Sequence, residues 1–140
     1  MKSNPELLVR LAKELICSRY EKEGHHVVVA SVLLTKEGNV YQALNTATYQ
    51  PSLSICAEAI VIGIAHTAEP DMEIDTIVSA RCDLEGPYVV APCGQCRECI
   101  ADYGPKATVL MPAKNKRGWT PVSISKLLPL KYRKHECAYK

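Results

Sequence analysis

Cys56-Ala57-Glu58, followed at a distance by Pro92-Cys93-Gly94-Gln95-Cys96, puts three thiols and one carboxylate within reach of a single ion. A structural zinc site closes its shell with four protein ligands, whereas a catalytic one keeps three and leaves a position for water. Three cysteines with a glutamate two residues from the first are therefore the parts of a site that activates water and moves protons. Cys93 and Cys96, three apart at the start of a helix, share one face and can grip one ion; Cys56, at the start of another helix, completes the trio. Helix N-termini aimed at the ion oppose the accumulated thiolate charge through their dipoles and free N–H groups. Arg97, next to Cys96, can offset part of that charge by donating to a thiolate. Glu58, on a first helical turn, can lean towards the fourth metal position as a general acid/base.

Each feature also has a plainer reading. A lone Cys-x-x-Cys is often a structural zinc knuckle or a redox pair. Cys99, three residues further along the same helix, could make a closed four-cysteine site, although three ligands on consecutive turns of one helix strain tetrahedral geometry. Otherwise Cys99 is a small buried hydrophobe. Glu58 could be a capping acid and Arg97 a surface or interface residue. His25, His26 and His66 lack a surrounding constellation and read as non-ligands.

The apolar positions Leu7, Leu8, Leu11, Ala12, Leu15, Ile16 and Tyr20 recur at helical spacing and predict an amphipathic helix over 6–23, ended by Gly24. The β-branched run over 27–35 predicts a strand buried on both faces, and Lys36-Glu37-Gly38-Asn39 a turn into a second strand over 40–44. Residues 56–68 read as a buried helix from their length and the following Pro70. A strand over 74–80, a helix over 93–103, a strand over 107–111 and a short helix over 124–128 complete the pattern. Two hairpin strands followed by alternating helices and strands predict an α/β or α+β sandwich with a mixed sheet.

The 140 residues read as one domain, 1–140, without repeat or linker. Hydrophobic content of 47% and charged content of 23% are globular values, and a net charge of +2 creates no strong nucleic-acid field. Lys114, Lys116 and Arg117 form a small basic loop, and Lys131, Arg133, Lys134, His135 and Lys140 a basic tail. Both read as solvated surface, because neither is long or interleaved with aromatics. No run reaches the length of a membrane span, and no signal-peptide pattern opens the chain. Seven cysteines without such a signal predict reduced thiols in a cytoplasmic protein, with Cys17, Cys82 and Cys137 unpaired.

The two boxes resemble the cytidine deaminase family in its small homotetrameric, zinc-dependent branch. Cys56-Ala57-Glu58 matches its C-A-E box, and Pro92-Cys93-Gly94-Gln95-Cys96-Arg97 its P-C-G-x-C-R box. Leu33-Leu34-Thr35-Lys36-Glu37-Gly38 with Asn45 resembles the family's first hairpin, and Ser125-Lys126-Leu127-Leu128-Pro129 its last helix. The resemblance implies a three-layer α/β sandwich, a mixed β-sheet flanked by helices. It further implies Zn²⁺ on Cys56, Cys93 and Cys96, Glu58 as proton shuttle, and Asn45 as a hydrogen-bond partner of the sugar. The implied reaction is hydrolytic deamination of cytidine or deoxycytidine, with ammonia released. A nucleoside substrate and a homotetramer or dimer are expected; nucleic acid and membrane partners are not.

Three departures bear on substrate choice. The family's sugar-reading Asn-x-Glu is Asn45-Thr46-Ala47 here, so a carboxylate is missing. The Arg that follows C-A-E in many members is Ala59, which leaves charge-tuning to Arg97. The chain has no Phe: Val27 stands for a pocket Phe on the first strand and Tyr132 for a C-terminal one. Blasticidin S deaminase, a related enzyme, also lacks the Arg after its C-A-E and reads a different sugar. Another aminopyrimidine nucleoside of that type is thus the alternative substrate. A non-catalytic structural zinc protein is the alternative outside the enzyme class.

Overall fold

The computed structural model describes residues 4–20 and 28–132. Helix α1 (Pro5–Cys17) begins where the Asn4 side chain accepts from Leu7 N at 3.3 Å, with Pro5 in the first turn, where its missing N–H costs nothing. It ends at Cys17, short of the predicted 23, as Ser18 turns its hydroxyl back to Leu15 O at 2.7 Å. The expected terminator Gly24, and Val27 with it, lie outside the described residues.

Strands β1 (Ala30–Thr35) and β2 (Val40–Leu44) form the anticipated hairpin. Gly38 turns it with φ +93°, a conformation that suits glycine because a Cβ would be strained there. A short 3₁₀ turn (Pro51–Leu53) leads into α2 (Ala57–Ala68), followed by β3 (Ile74–Asp83), β4 (Gly86–Val90), α3 (Gly94–Tyr103), β5 (Thr108–Pro112), β6 (Trp119–Ser123) and α4 (Ile124–Leu127).

Three features of this order were not expected. β3 runs on past residue 80, β4 pairs back onto it, and β6 pairs with β5. Gly86-Pro87 and Pro121 had hidden these strands, since proline normally argues against a strand interior. Pro121 is tolerated because β6 closes one end of the sheet, where one side of its backbone needs no strand partner.

The six-stranded sheet has the order β2-β1-β3-β5-β6; β5 pairs parallel with 76–78 of β3, and β4 antiparallel with 79–83. All other pairings are antiparallel, so the sheet is mixed. Strand alternation splits the core in two. Ala30, Val32, Leu34, Val78, Ala80 and Leu110 face α1, packing on Leu8, Val9, Ala12 and Ile16. Leu33, Ile77 and Val109 face α2, α3 and α4, packing on Val61, Ile62, Ile100 and Ile124. Fully buried side chains of this size contribute on the order of 1.5–3 kcal/mol each, enough to fix the helices against the sheet. The outcome is the expected three-layer α/β sandwich. Among the described residues no helix is long and apolar enough to cross a membrane.

Candidate active site

The N-termini of α2 and α3 meet on the second face of the sheet. Cys56 and Cys93 each occupy the residue just before a helix, in extended backbone, and Cys96 sits one turn into α3. Each lead cysteine starts its helix through its own carbonyl, Cys56 O accepting from Ile60 N at 3.2 Å and Cys93 O from Arg97 N at 3.0 Å. Their sulfurs therefore point off the helix ends, where N–H groups favour negative charge.

The Sγ atoms of Cys56, Cys93 and Cys96 all lie within 4.8 Å of one another, with Cys56 and Cys93 4.0 Å apart. Tetrahedral zinc with Zn–S near 2.3 Å requires sulfurs about 3.8 Å apart, so the three fit one ion. The electrostatics agree. Burial pushes the Cys96 thiol well above its ordinary range, with the Glu58 charge and the two neighbouring thiols adding to the rise. Burial likewise raises Cys56. Cys93 moves down: burial opposes the shift, but hydrogen bonds from the backbone and thiol of Cys96 and from Cys56 outweigh it. Three thiols this close ionise together only around a cation.

Glu58 is 5% exposed and faces the same cluster. Its Oε2 accepts from Cys96 Sγ at 3.5 Å, while Oε1 accepts from Ser79 Oγ at 2.9 Å. Ser79 in turn lies 3.2 Å from Ser31 Oγ, and Ser31 donates to Val78 O at 3.2 Å. Ser31 and Ser79 are opposite each other across β1 and β3, both buried, on the face that carries α2. A carboxylate of this kind is held by donors from the sheet beneath it rather than by solvent, which sets its orientation.

A cavity of about 320 Å³ opens beside the cluster, lined by Val29, Asn45, Thr46, Ser54, Ile55, Cys56, Ala57, Glu58, Arg81, Val90, Ala91 and Cys93. That size is at the lower end of small-molecule sites. Asn45 is fixed at its wall: Oδ1 accepts from Val29 N at 2.7 Å, and its own N–H donates to Val29 O at 3.0 Å.

Other expected site residues stand elsewhere. Ala47 is exposed and outside the cavity lining, as is Tyr132, which is 72% exposed. Arg97 turns to the backbone, Nε donating to Pro92 O at 3.0 Å and Nη1 to Leu127 O at 3.3 Å, and so ties the start of α3 to the end of α4. Donation to a thiolate is not among its bonds. Cys99 packs against the core between sheet and helices, burial raises its thiol, and among the described residues the metal-competent cluster holds Cys56, Cys93 and Cys96 without it. His66 lies edge-on to Tyr103 at 5.2 Å. Lys131 pairs with Glu98 at 3.1 Å and Asp102 at 2.7 Å, which pins the first residue of the basic tail to α3.

Ser31, Ser79 and Arg81 were missed from the sequence. The available signal was a polar residue on alternate positions of runs otherwise apolar enough to be buried on both faces.

Comparison with known proteins agrees with this geometry. The model of the cytidine and deoxycytidylate deaminase zinc-binding region matches residues 2–112. A blasticidin-S deaminase of Bacillus cereus is 39% identical over 137 residues, 91% of each chain. A cytidine deaminase of Halalkalibacterium halodurans is 30% identical over 125 residues, 85% of this chain and 89% of that one. In three dimensions, the cytidine deaminase of Mycobacterium tuberculosis superposes with a TM-score of 0.74 at 21% identity, covering 95% of this chain and all (100%) of that one. That of Burkholderia pseudomallei gives 0.74 at 24% identity, covering 93% and 100%. With a matching domain, a matching sandwich and three thiols spaced for one zinc ion, the chain belongs to the cytidine and deoxycytidylate deaminase family of zinc-dependent hydrolases.

Proposed function

We propose that this protein hydrolyses the 4-amino group of a cytosine-type nucleoside, cytidine or deoxycytidine in the first instance, releasing ammonia and leaving the uracil counterpart. The observation that carries the reading is Glu58: a buried carboxylate 3.5 Å from Cys96 Sγ, beside a three-thiol cluster that opens onto a cavity. A closed structural zinc site would have neither the carboxylate nor the cavity.

Cys56, Cys93 and Cys96 would hold Zn²⁺. Zinc held there supplies hydroxide at neutral pH by lowering the pKa of water to about 7. Glu58 takes the water proton and delivers it to the ring nitrogen, while oxygen adds at the amino-bearing carbon. It then passes the second proton to the amine, the C–N bond breaks, and ammonia leaves. Ser79 holds Oε1 and so directs the carboxylate between water and base. Asn45, anchored through Val29, offers its carboxamide to the sugar. Val29, Val90 and Ala91 provide the apolar wall against which the base lies.

A blasticidin S-type nucleoside is the second reading, favoured by the 39% identity to a blasticidin-S deaminase and by the missing carboxylate at Ala47. We infer a cytoplasmic homotetramer, its assembly supported by the exposed apolar residues Leu53, Tyr132 and Ile55, of which Ile55 lines the cavity. In such an assembly Tyr132 would serve a neighbouring pocket. The test is ammonia release by zinc-loaded protein from cytidine, deoxycytidine, cytosine and blasticidin S, with Glu58→Gln as blank. Silence on all four would refute the reading.

A further inference from the structure

Two cysteines that the three-thiol cluster does not use meet on the opposite face of the sheet. Strand alternation turns Ser79 and Arg81 towards Glu58 and the cavity, and Ala80 and Cys82 towards α1. Cys82 packs there against the core cluster that contains Ile16, and the residue after Ile16 is Cys17, the last of α1. The two side chains are in direct contact, the Cys17 thiol being a hydrogen-bond partner of Cys82. Both are free thiols, Cys17 exposed and Cys82 half-buried.

Thiols that touch across two packed elements can be bridged without large backbone movement, which is the main geometric demand of a disulfide. Among the described residues no third sulfur, imidazole or carboxylate joins them in a metal-competent group, so the pair does not read as a second metal shell. Their difference in exposure orders the chemistry. Cys17 is open to a reagent in solution. Burial, and then the Cys17 thiol and the charges of Cys17 and Asp83, raise the Cys82 thiol above its ordinary range and keep it protonated until a partner sulfur is presented.

We propose that Cys17 and Cys82 form a reversible disulfide, a second thiol site that clamps the end of α1 to β3 when the protein meets a low-molecular-weight disulfide. Cys17, as thiolate, attacks one sulfur of that oxidant; its S–S bond breaks, one small thiol leaves, and a mixed disulfide remains on Cys17. Cys82 then gives up its proton and attacks the Cys17 sulfur, the mixed disulfide breaks, and the second small thiol leaves carrying that electron pair and a proton. Two protein sulfurs are oxidised and one small disulfide is reduced to two thiols. In a reducing compartment such a bond is transient and reports redox state, which separates it from the permanent staples of secreted domains.

Zinc-loaded full-length protein is incubated with excess glutathione disulfide and followed by intact mass, peptide mapping, zinc content and thermal unfolding. The mass should fall by two hydrogen atoms, and mapping should join residue 17 to residue 82. Zinc content should stay constant, because the cluster lies on the other face of the sheet and the ion protects its thiols. The thermal midpoint should rise by about 5 °C or more, as closing a long loop predicts, and dithiothreitol should reverse the rise. Cys82→Ala should stop at a glutathione adduct on Cys17 with no such rise. Cys17→Ser, a change at an exposed position, should leave residue 82 reduced and serves where Cys82→Ala does not fold. Absence of the 17–82 link at full zinc occupancy overturns the proposal. So does a link from either residue to another cysteine, a link that forms only as zinc is lost, or a link that leaves the midpoint unchanged.

Discussion

Removing the Ser79 hydroxyl should lower turnover without removing zinc. Ser79 Oγ donates to Glu58 Oε1 at 2.9 Å in a buried setting, and Ser79 contributes no sulfur to the cluster. A hydrogen bond to a charged group is worth about 1.5–3 kcal/mol. At about 1.4 kcal/mol per tenfold in rate, full loss of that orientation would cost between one and two powers of ten in kcat. One fact places the expected loss near the lower end: Ser31 Oγ lies only 3.2 Å from the vacated position. In Ser79→Ala, kcat for cytidine should therefore fall about tenfold, with KM little changed, because Ser79 is absent from the cavity lining. The double variant with Ser31→Ala should fall further, and Ser79→Thr should recover most of the loss. The assay is steady-state ammonia release, with zinc content measured on the same samples. A kcat within twofold of wild type at full zinc occupancy would refute the positioning role; loss of zinc together with activity would show that Ser79 supports the cluster instead.

Cys93→Ser should lose zinc and activity together, whereas Glu58→Gln should keep zinc and lose activity by about 10²–10⁴-fold, as metal analysis beside kinetics will show. Gly104→Ala should destabilise the protein by about 1–3 kcal/mol in urea unfolding, since a Cβ there would sit 2.7 Å from Ile74 Cβ and 2.8 Å from Ile74 O. Arg97→Gln should lower the thermal midpoint and leave zinc affinity within about threefold, because its bonds go to Pro92 O and Leu127 O; a larger drop in zinc affinity would restore the charge-tuning role. Glu69 is held below the ordinary carboxylate range first by the Tyr41 hydroxyl at 2.8 Å, and then by Asn39 and Thr35. Its folded-state advantage is complete above the ordinary carboxylate pKa and is lost as pH falls through the depressed one, so Glu69→Gln should flatten acid unfolding curves below about pH 4.5.

Residues that act through their own backbone neighbourhood were legible in the sequence. Cys56, Glu58, Cys93 and Cys96 belong to two short boxes, and a helix start places each box's members within one turn of one another. The β-branched run of β1, the helical period of α1, the length of α2 with the Pro70 after it, and the Gly38 turn into β2 were equally local. What periodicity misjudged had a tertiary cause. α1 stops once its last buried residue, Ile16, is in place. β4 and β6 exist because β3 and β5 offer them open edges, against the local preference of Gly86-Pro87 and Pro121.

The sequence by itself determined the chemistry: three thiols that can share one ion, a carboxylate in phase with them, and a chain long enough to bury them. Only the tertiary structure decided which groups serve that chemistry from a distance. Ser31 and Ser79 meet under Glu58 because β1 and β3 are paired in one particular register, 48 residues apart in the chain. Arg81 enters the cavity because β3 continues past the point where its apolar pattern ends, and Arg97 donates instead to the carbonyls of Pro92, just before α3, and Leu127, at the end of α4. Strand register and helix packing are settled by burying the whole core at once, so no short stretch of sequence encodes them.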